Sequence, residues 1–328
     1  MHEGGVRDTA ALVSLDDIRL AAGRIRAIVR RTPLLDVEAD PPWPEQGQKQ
    51  IRLSLKCECF QPGGAFKIRG ACNMIAQLPP EARAAGVITY SSGNHGLAVA
   101  LVAETFHAPA VIVMPERTPR VKVDGVRRHG AEVIFAGTTS TDRKLRAEEL
   151  ANARGLTIIP PFDHPWIIAG QGTTGLEILE QHSQVRSVYV PVGGGGQIAG
   201  VSAAVKQMRS SVRVVGVEPA GAARMTASIA AGHPVSLERT ASIADGLLTL
   251  RPGDITFAHV QAFVDDVVTV TDEEIAGAVK WLYDEARIVA EPSGAAAVAA
   301  ALRVLEPETV AVVSGGNVDP EAFAGYIR

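Results

Sequence analysis

Lys67 stands in "GGAFKIRG" (Gly63–Gly70), directly after Phe66 and behind a pair of glycines. A solvated surface lysine needs no such setting. An amine whose pKa is lowered becomes a nucleophile and a general base, so the stretch points to amine chemistry at the mouth of a glycine turn. A second loop, "PVGGGGQIAG" (Pro191–Gly200), follows an apolar run and opens a helical one. Successive glycines let backbone N–H groups converge on an anion, and the helix N-terminus adds positive potential. The loop lacks the Gly-Lys-Ser/Thr ending of a Walker motif. Gly194, Gly196 and Ala199 also fit G-x-G-x-x-G/A, with Glu218 ending the next strand where a ribose-binding acid would sit. On this loop alone a phosphate cradle, a dinucleotide site and a ligand-free turn all stay open.

Two further segments sit behind strand patterns. "SSGNHGLA" (Ser91–Ala98) offers N–H groups, hydroxyls and the Asn94 amide to a carboxylate or a phenolic oxygen. A polar helix cap is the alternative there. "VVSGGNVD" (Val312–Asp319) places Ser314 at the carboxyl end of the last strand.

The elements that must position these loops alternate along the chain. Its 328 residues allow two cores. A composition of 46% hydrophobic and 21% charged residues is that of a soluble globular protein. The net charge of −4 argues against nucleic acid or an anionic membrane as partner. No apolar leader or membrane-length run is present, and Cys57, Cys59 and Cys72 are too few for a disulfide frame or zinc site. A reducing cytoplasm is expected.

Ser14 with Asp17, and Thr271 with Glu274, read as capping boxes. The first opens a helix with Ile18, Ala22, Ile25 and Val29 on one face, which Pro33 stops. "AFKIRGACNMIAQL" reads as a helix closed by Pro79-Pro80, "TTGLEILEQ" as a helix, and "AAAVAAAL" as another. Strict β–α alternation implies an α/β protein with two parallel-type twisted sheets and helices on both faces. Such sheets bind ligands beyond the carboxyl ends of their strands. The strand run from 86 to 161 is expected to form a small domain closing over the substrate. Residues 1–85 and 162–328 would form the large, ligand-binding one.

Taken together, "KCECFQPGGAFKIRGACN", "SSGNHGLA", "IIAGQGTTGLEI", "PVGGGGQIAG", "SIADGL", "AEPSGAAAVAA" and "VVSGGNVD" resemble the fold-type II pyridoxal-phosphate enzymes, the tryptophan synthase beta-like fold. Within these they resemble the serine/threonine dehydratases (threonine ammonia-lyases) and serine racemase, from about Thr32 to Asp319. His95 after Asn94, and "KIRG" after Phe66, favour that branch over the cysteine synthases. The resemblance implies pyridoxal 5'-phosphate as cofactor, joined to Lys67, with Phe66 on one ring face and room left by Gly246 on the other. Gly193, Gly194, Gly195 and Gly196 would bind the phosphate, Asn94 the 3' oxygen, and Ser314 the pyridine nitrogen. Ser91, Ser92, Gly93, Asn94 and His95 would grip the substrate carboxylate. Lys67 would then serve as the catalytic base. The implied reaction is β-elimination from a 3-hydroxy amino acid such as L-threonine or L-serine, giving a 2-oxo acid and ammonia. Ser92 matches the serine that supplies a proton from the opposite side in serine racemase, so racemisation is the alternative activity. A non-standard substrate such as threo-3-hydroxyaspartate or 3-phenylserine is another.

Arg143 aligns with an arginine that reaches the substrate carboxylate in serine racemase; an exposed helix charge is the other reading. His95 reads as a structural loop residue rather than an acid catalyst. Asp163 and His164 either shape the substrate pocket or form a polar turn. Many relatives bind a divalent cation through Glu-x5-Asp; here Glu218 is followed by Arg224, so no metal is expected and Arg224 would pair with Glu218 instead. Leu97 replaces the family's glutamine, which argues against nucleotide activation. A chain ending at Arg328 is expected to lack isoleucine feedback. The family implies a homodimer acting on a small amino acid, with no nucleic acid or membrane partner.

Overall fold

A computed structural model describes residues 12–40, 51–91, 93–118, 120–304 and 306–328. The first part of the chain runs α1 (Leu15–Ile25), β1 (Leu34–Ala39), β2 (Ile51–Cys57), α2 (Lys67–Gln77) and α3 (Pro80–Ala85). Next come β3 (Val87–Thr89), α4 (Asn94–Thr105), β4 (Ala110–Met114), α5 (Arg120–Arg127), β5 (Glu132–Phe135), α6 (Ser140–Arg154) and β6 (Thr157–Ile158). Then follow α7 (Pro165–Gln181), β7 (Ser187–Pro191), α8 (Gly196–Met208), β8 (Arg213–Pro219), α9 (Arg224–Ala231) and α10 (Asp254–Phe263). The last are β9 (Asp266–Val270), α11 (Asp272–Ala286), α12 (Pro292–Val304), β10 (Thr309–Val313) and α13 (Pro320–Tyr326).

The strands make two sheets. One has the order β1-β2-β10-β7-β8-β9, the other β5-β4-β3-β6. Every pairing is parallel except β1 with β2. The four-stranded sheet is drawn wholly from residues 87–158. No helix among the described residues is long and apolar enough to cross a membrane.

Both capping boxes form. Ser14 and Thr271 each accept from the N–H three residues on, while Asp17 and Glu274 return the bond. Ile18 and Ile25 are buried as the spacing predicts, but α1 ends at Ile25, well before Pro33. Val29 stays on the buried side in a turn, its N–H bonded to Ile25 O. Pro80 does not merely close α2; it opens α3 at the first helical position, where a missing N–H costs nothing.

The largest departure is α7. It begins at Pro165, two turns before the helix expected at Thr173. The glycines of "IIAGQGTTG" lie inside the helix, where neighbouring backbones touch it. A Cβ on Gly170 would lie 2.6 Å from Arg69 O, one on Gly175 2.8 Å from Val201 O, and one on the facing Gly200 2.3 Å from Ile168 O. Close packing of α7 with α2 and α8 outweighs the helix-propensity cost of glycine, about 1 kcal/mol each. α12 shows the opposite composition: Ala295–Ala301 are all buried, so this helix is core on every side.

Candidate active site

The carboxyl ends of β3, β7 and β10 lead into the three glycine-bearing loops, and β2 leads into the Lys67 turn. Gly63 and Gly64 both have positive φ, at 76° and 74°. A Cβ on Gly64 would lie 2.3 Å from Asn317 Oδ1, so only glycine fits this double left-handed turn. Phe66 N–H then donates to Ser314 O at 3.0 Å, and Gly316 N–H to Gly64 O at 2.9 Å. These bonds bind the start of α2 to the end of β10.

Lys67 is the first residue of α2 and only partly buried. Its Nζ donates to Pro161 O at 2.8 Å and lies 5.2 Å from the Phe66 ring centroid. Burial lowers its pKa to about 8. Behind Lys67, α2 is anchored by buried charge. Arg69 forks onto Glu58 at 2.7 and 2.8 Å and onto Glu177 at 2.8 and 2.8 Å. Lys56 completes the cluster on Glu177 at 2.6 Å, so its two cations face two carboxylates. Burial raises the Glu58 carboxyl, but Arg69, with help from Lys56 and Thr32, outweighs that and holds it below the ordinary value.

Asn94 opens α4, and its Nδ2 donates to Glu291 Oε1 at 2.5 Å. Its Oδ1 accepts from Asn317 at 2.9 Å. Burial pushes the Glu291 carboxyl up to about 8, against the pull of Asn94. Ser314 Oγ, buried, donates to Ser293 O at 3.4 Å, and Ser293 Oγ accepts from Gly246 N at 2.8 Å. A Cβ on Gly193 would lie 3.4 Å from Gly246 O. Bonds and close contacts thus bring Phe66, Lys67, Asn94, Gly193, Gly246 and Ser314 together.

His95 is buried, with Nε2 3.0 Å from Ile159 O. A carbonyl only accepts, so Nε2 carries the proton and Nδ1 is bare; Nδ1 has no partner among the described residues. Burial and the nearby Lys67 lower its pKa to about 3. The ring is therefore uncharged at neutral pH, with its one proton directed at the Ile159 carbonyl. Ser91 is partly buried, and the space beyond the Gly93 Cα is open, with nothing within 4 Å of a Cβ built there. Ser92 lies outside the described residues. Among the described residues no bond brings Arg143 to the others: it lies in the first turn of α6, with a buried Nε that lacks a partner among them. Asp163 and His164 are bonded as helix caps. Asp163 accepts from Asp254, Ile255 and Thr256 N–H at 3.0, 3.0 and 3.1 Å, and His164 accepts from Trp166 N–H at 3.1 Å.

The glycine loop fits a phosphate. The N–H groups of Gly193, Gly194 and Gly195 find no acceptor among the described residues, although Gly194 and Gly195 are buried. Buried N–H groups left unpaired are rare, and an anion satisfies them. Gly195 has φ 97°, and a Cβ on Gly194 would lie 2.4 Å from the Phe162 ring. Gln197, in the first turn of α8, adds a buried Nε2 without a partner.

With this geometry in place, the comparison with known proteins is decisive. The pyridoxal-phosphate dependent enzyme family matches residues 25–315. The chain belongs to that family. It is 41% identical to the L-threonine ammonia-lyase of Thermotoga maritima over 94% of this chain and 76% of that one. It is 37% identical to the serine racemase of Schizosaccharomyces pombe over 98% and 99%. The structure of maize serine racemase superposes with a TM-score of 0.88 at 38% identity, covering 96% of this chain and 97% of that one. The chain spans 50–59% of the length of four biosynthetic threonine dehydratases that it also matches. The protein is a pyridoxal-phosphate dependent α/β enzyme of fold type II, and the dinucleotide reading of the Gly194 loop falls away.

Sequence reasoning missed three groups. Phe162 packs on Gly194 and Gly196, Thr256 holds the Gly194 carbonyl at 2.7 Å, and Asn317 bridges Asn94 to Gly63. Thr256 and Phe162 lie outside every glycine motif; only Asn317 had a signal, its place in "SGGN".

Proposed function

We propose that this enzyme removes the β-hydroxyl and the amino group of a 3-hydroxy amino acid, such as L-threonine or L-serine, to give a 2-oxo acid and ammonia. Lys67, Phe66, Asn94, Gly193–Gly196, Gly246 and Ser314 would hold pyridoxal 5'-phosphate. Bound there, the cofactor supplies an electron sink for charge developing at the substrate Cα. Lys67 is the base. A pKa of about 8 leaves an appreciable neutral fraction near neutral pH, where an unperturbed lysine has almost none. Ser91, Ser92, Gly93, Asn94 and His95 form the wall that receives the substrate carboxylate, with Arg143 as a further cation on α6.

The neutral character of the far wall carries the choice of elimination. Ser314 offers a hydroxyl, and Glu291, with its pKa raised to about 8, is largely uncharged. Neither is a carboxylate that would hold a full proton on a ring nitrogen. A weak sink favours rapid loss of the β-hydroxyl over return of the proton to Cα. Likeness to a threonine ammonia-lyase over 94% of the chain supports the same reading.

Likeness to a serine racemase over nearly the full length of both chains supports a second activity, racemisation. It needs a proton donor opposite Lys67, and Ser92 is the residue assigned to it. We further assign residues 1–85 and 162–328 to a large cofactor-binding domain and 86–161 to a small one that closes over the substrate. The separate sheets support that division. A cytoplasmic homodimer acting without nucleic acid or membrane completes the proposal.

The test is 2-oxo acid and ammonia release by the holoenzyme from 3-hydroxy amino acids, both enantiomers. Strong release from one substrate is expected. Racemisation without release would overturn elimination as the main activity.

A further inference from the structure

The orientation of the glycine loop has a specific cause. Arg224 is completely buried, and its guanidinium reaches two consecutive carbonyls of that loop: Nη2 donates to Val192 O, and Nε donates to Gly193 O at 3.0 Å. Nη1 donates to Ala222 O. The next carbonyl, Gly194 O, is held by Thr256 Oγ1 at 2.7 Å and by Gly253 N–H at 3.2 Å. In a planar trans peptide the C=O and the following N–H point in opposite directions. Pulling the carbonyls of Val192, Gly193 and Gly194 toward Arg224 and Thr256 therefore turns the N–H groups of Gly193, Gly194 and Gly195 the other way. Those are the three N–H groups without an acceptor.

We propose that Arg224 is a positioning residue that presets the phosphate cradle: a cation tethered to the fold that gathers loop carbonyls as a bound ion would. Arginine suits this task. Its fork carries five donors and keeps its charge even when buried. Glu218, 3.7 Å away and also fully buried, balances that charge. Glu218 in turn accepts from Met225 N–H at 2.8 Å and from Thr226 N–H and Oγ1 at 2.9 and 2.9 Å, so it fastens the guanidinium to the start of α9. Burial raises the Glu218 pKa, while Arg224 and these three donors oppose the rise. The expected Arg224–Glu218 ion pair is present, but the hydrogen bonds of each group go elsewhere, and two of the three from Arg224 go to the loop.

The inference rests on pyridoxal 5'-phosphate being the ligand of this loop. Its test compares that cofactor with pyridoxal, which lacks the phosphate. Binding of each to cofactor-free wild-type protein is measured first by absorbance and fluorescence titration. Failure of the wild type to bind pyridoxal 5'-phosphate would refute the cofactor reading, separately from anything Arg224 does. Arg224→Gln is then expected to weaken pyridoxal 5'-phosphate binding at least tenfold and to change pyridoxal binding less than twofold. Arg224→Lys, which keeps the charge but loses the fork, should show the same selectivity at smaller size; it carries the test if the glutamine variant does not fold. Equal losses for both ligands would reveal a general lesion and overturn the proposal, as would unchanged phosphate-ligand binding. Wild-type holoenzyme dialysed against EDTA should keep its cofactor. Release that Mg²⁺ reverses would show that a free cation, not Arg224, organises the loop.

Discussion

Replacing Arg69 by methionine should unfold this enzyme at a distinctly lower temperature. The change removes the forks to Glu58 and Glu177 and leaves two carboxylates with Lys56 as their only nearby cation of the cluster. Glu58 has no exposed surface, so water cannot solvate its charge. Breaking a buried pair from one side costs about 3–5 kcal/mol. Unfolding entropy of about 2.1 cal/mol/K per residue gives roughly 0.7 kcal/mol/K for a chain of 328 residues. The melting temperature should then fall by about 4–7 °C, read by calorimetry on the cofactor-free protein at neutral pH. Adding Glu58→Gln to Arg69→Met leaves one cation facing one carboxylate and should recover at least half of the loss. The pH dependence has a definite sign. The folded Glu58 pKa is depressed, so its contribution is present above the ordinary carboxylate pKa and disappears as pH falls below about 4. The gap between wild type and Arg69→Met should narrow over that range. A fall below about 1 °C at neutral pH, or a double variant less stable than the single one, would refute the reasoning.

Lys67→Ala should fold but fail to hold the cofactor covalently; mass spectrometry after borohydride treatment should find the adduct on Lys67 of the wild type only. In the cofactor-free protein, Lys67 should react with an amine-acylating reagent with a midpoint near pH 8, its reactivity rising as the ammonium loses its proton; a midpoint above 10 would show that its surroundings do not desolvate it. Gly194→Ala places a Cβ 2.4 Å from the Phe162 ring and should weaken pyridoxal 5'-phosphate binding about tenfold, a cost of roughly 1–3 kcal/mol of overpacking. Adding Phe162→Ala should restore much of that binding, as a titration would show. Ser92→Ala should suppress any racemisation and leave elimination largely intact, measured by chiral chromatography alongside 2-oxo acid release.

Much of the site was legible because its chemistry requires glycine. Gly63–Gly64 and Gly193–Gly196 stand out in a sequence, and Gly64, Gly194, Gly195 and Gly196 are each set where a side chain or a neighbouring backbone would collide with a Cβ. In α7 the same residue type has another cause, contact between helices, and the pattern showed only the part of the helix from Thr173 on. The β–α alternation showed both sheets, but not the antiparallel β1, nor α9 and α10, whose patterns are short and mixed. What no pattern reveals is which distant residues hold a loop from behind. Thr256 reaches Gly194 across 62 positions and Arg224 reaches Gly193 across 31, and neither partnership leaves a local trace. Asp163 illustrates the converse: a polar residue between prolines, open to a pocket role, proved to be the cap of a helix 91 positions away.

The glycine contacts of α7 also limit how this helix and its neighbours can move. Packed helices slide past one another by letting interfacial side chains change rotamer while the backbones keep their distance. Gly170, Gly175 and Gly200 leave no side chain to do so, and the backbones of α2, α7 and α8 lie against each other. Shear along these faces is blocked. The chain enters and leaves the four-stranded sheet away from these faces, at two crossings. One is Gly86, with φ 111°; the other is the Pro160–Pro161 stretch, whose carbonyl holds the Lys67 amine. The backbone that leaves the four-stranded sheet is thus fastened directly to the amine at the start of α2, so the sheet and the Lys67 turn are joined by a bond as well as by the chain.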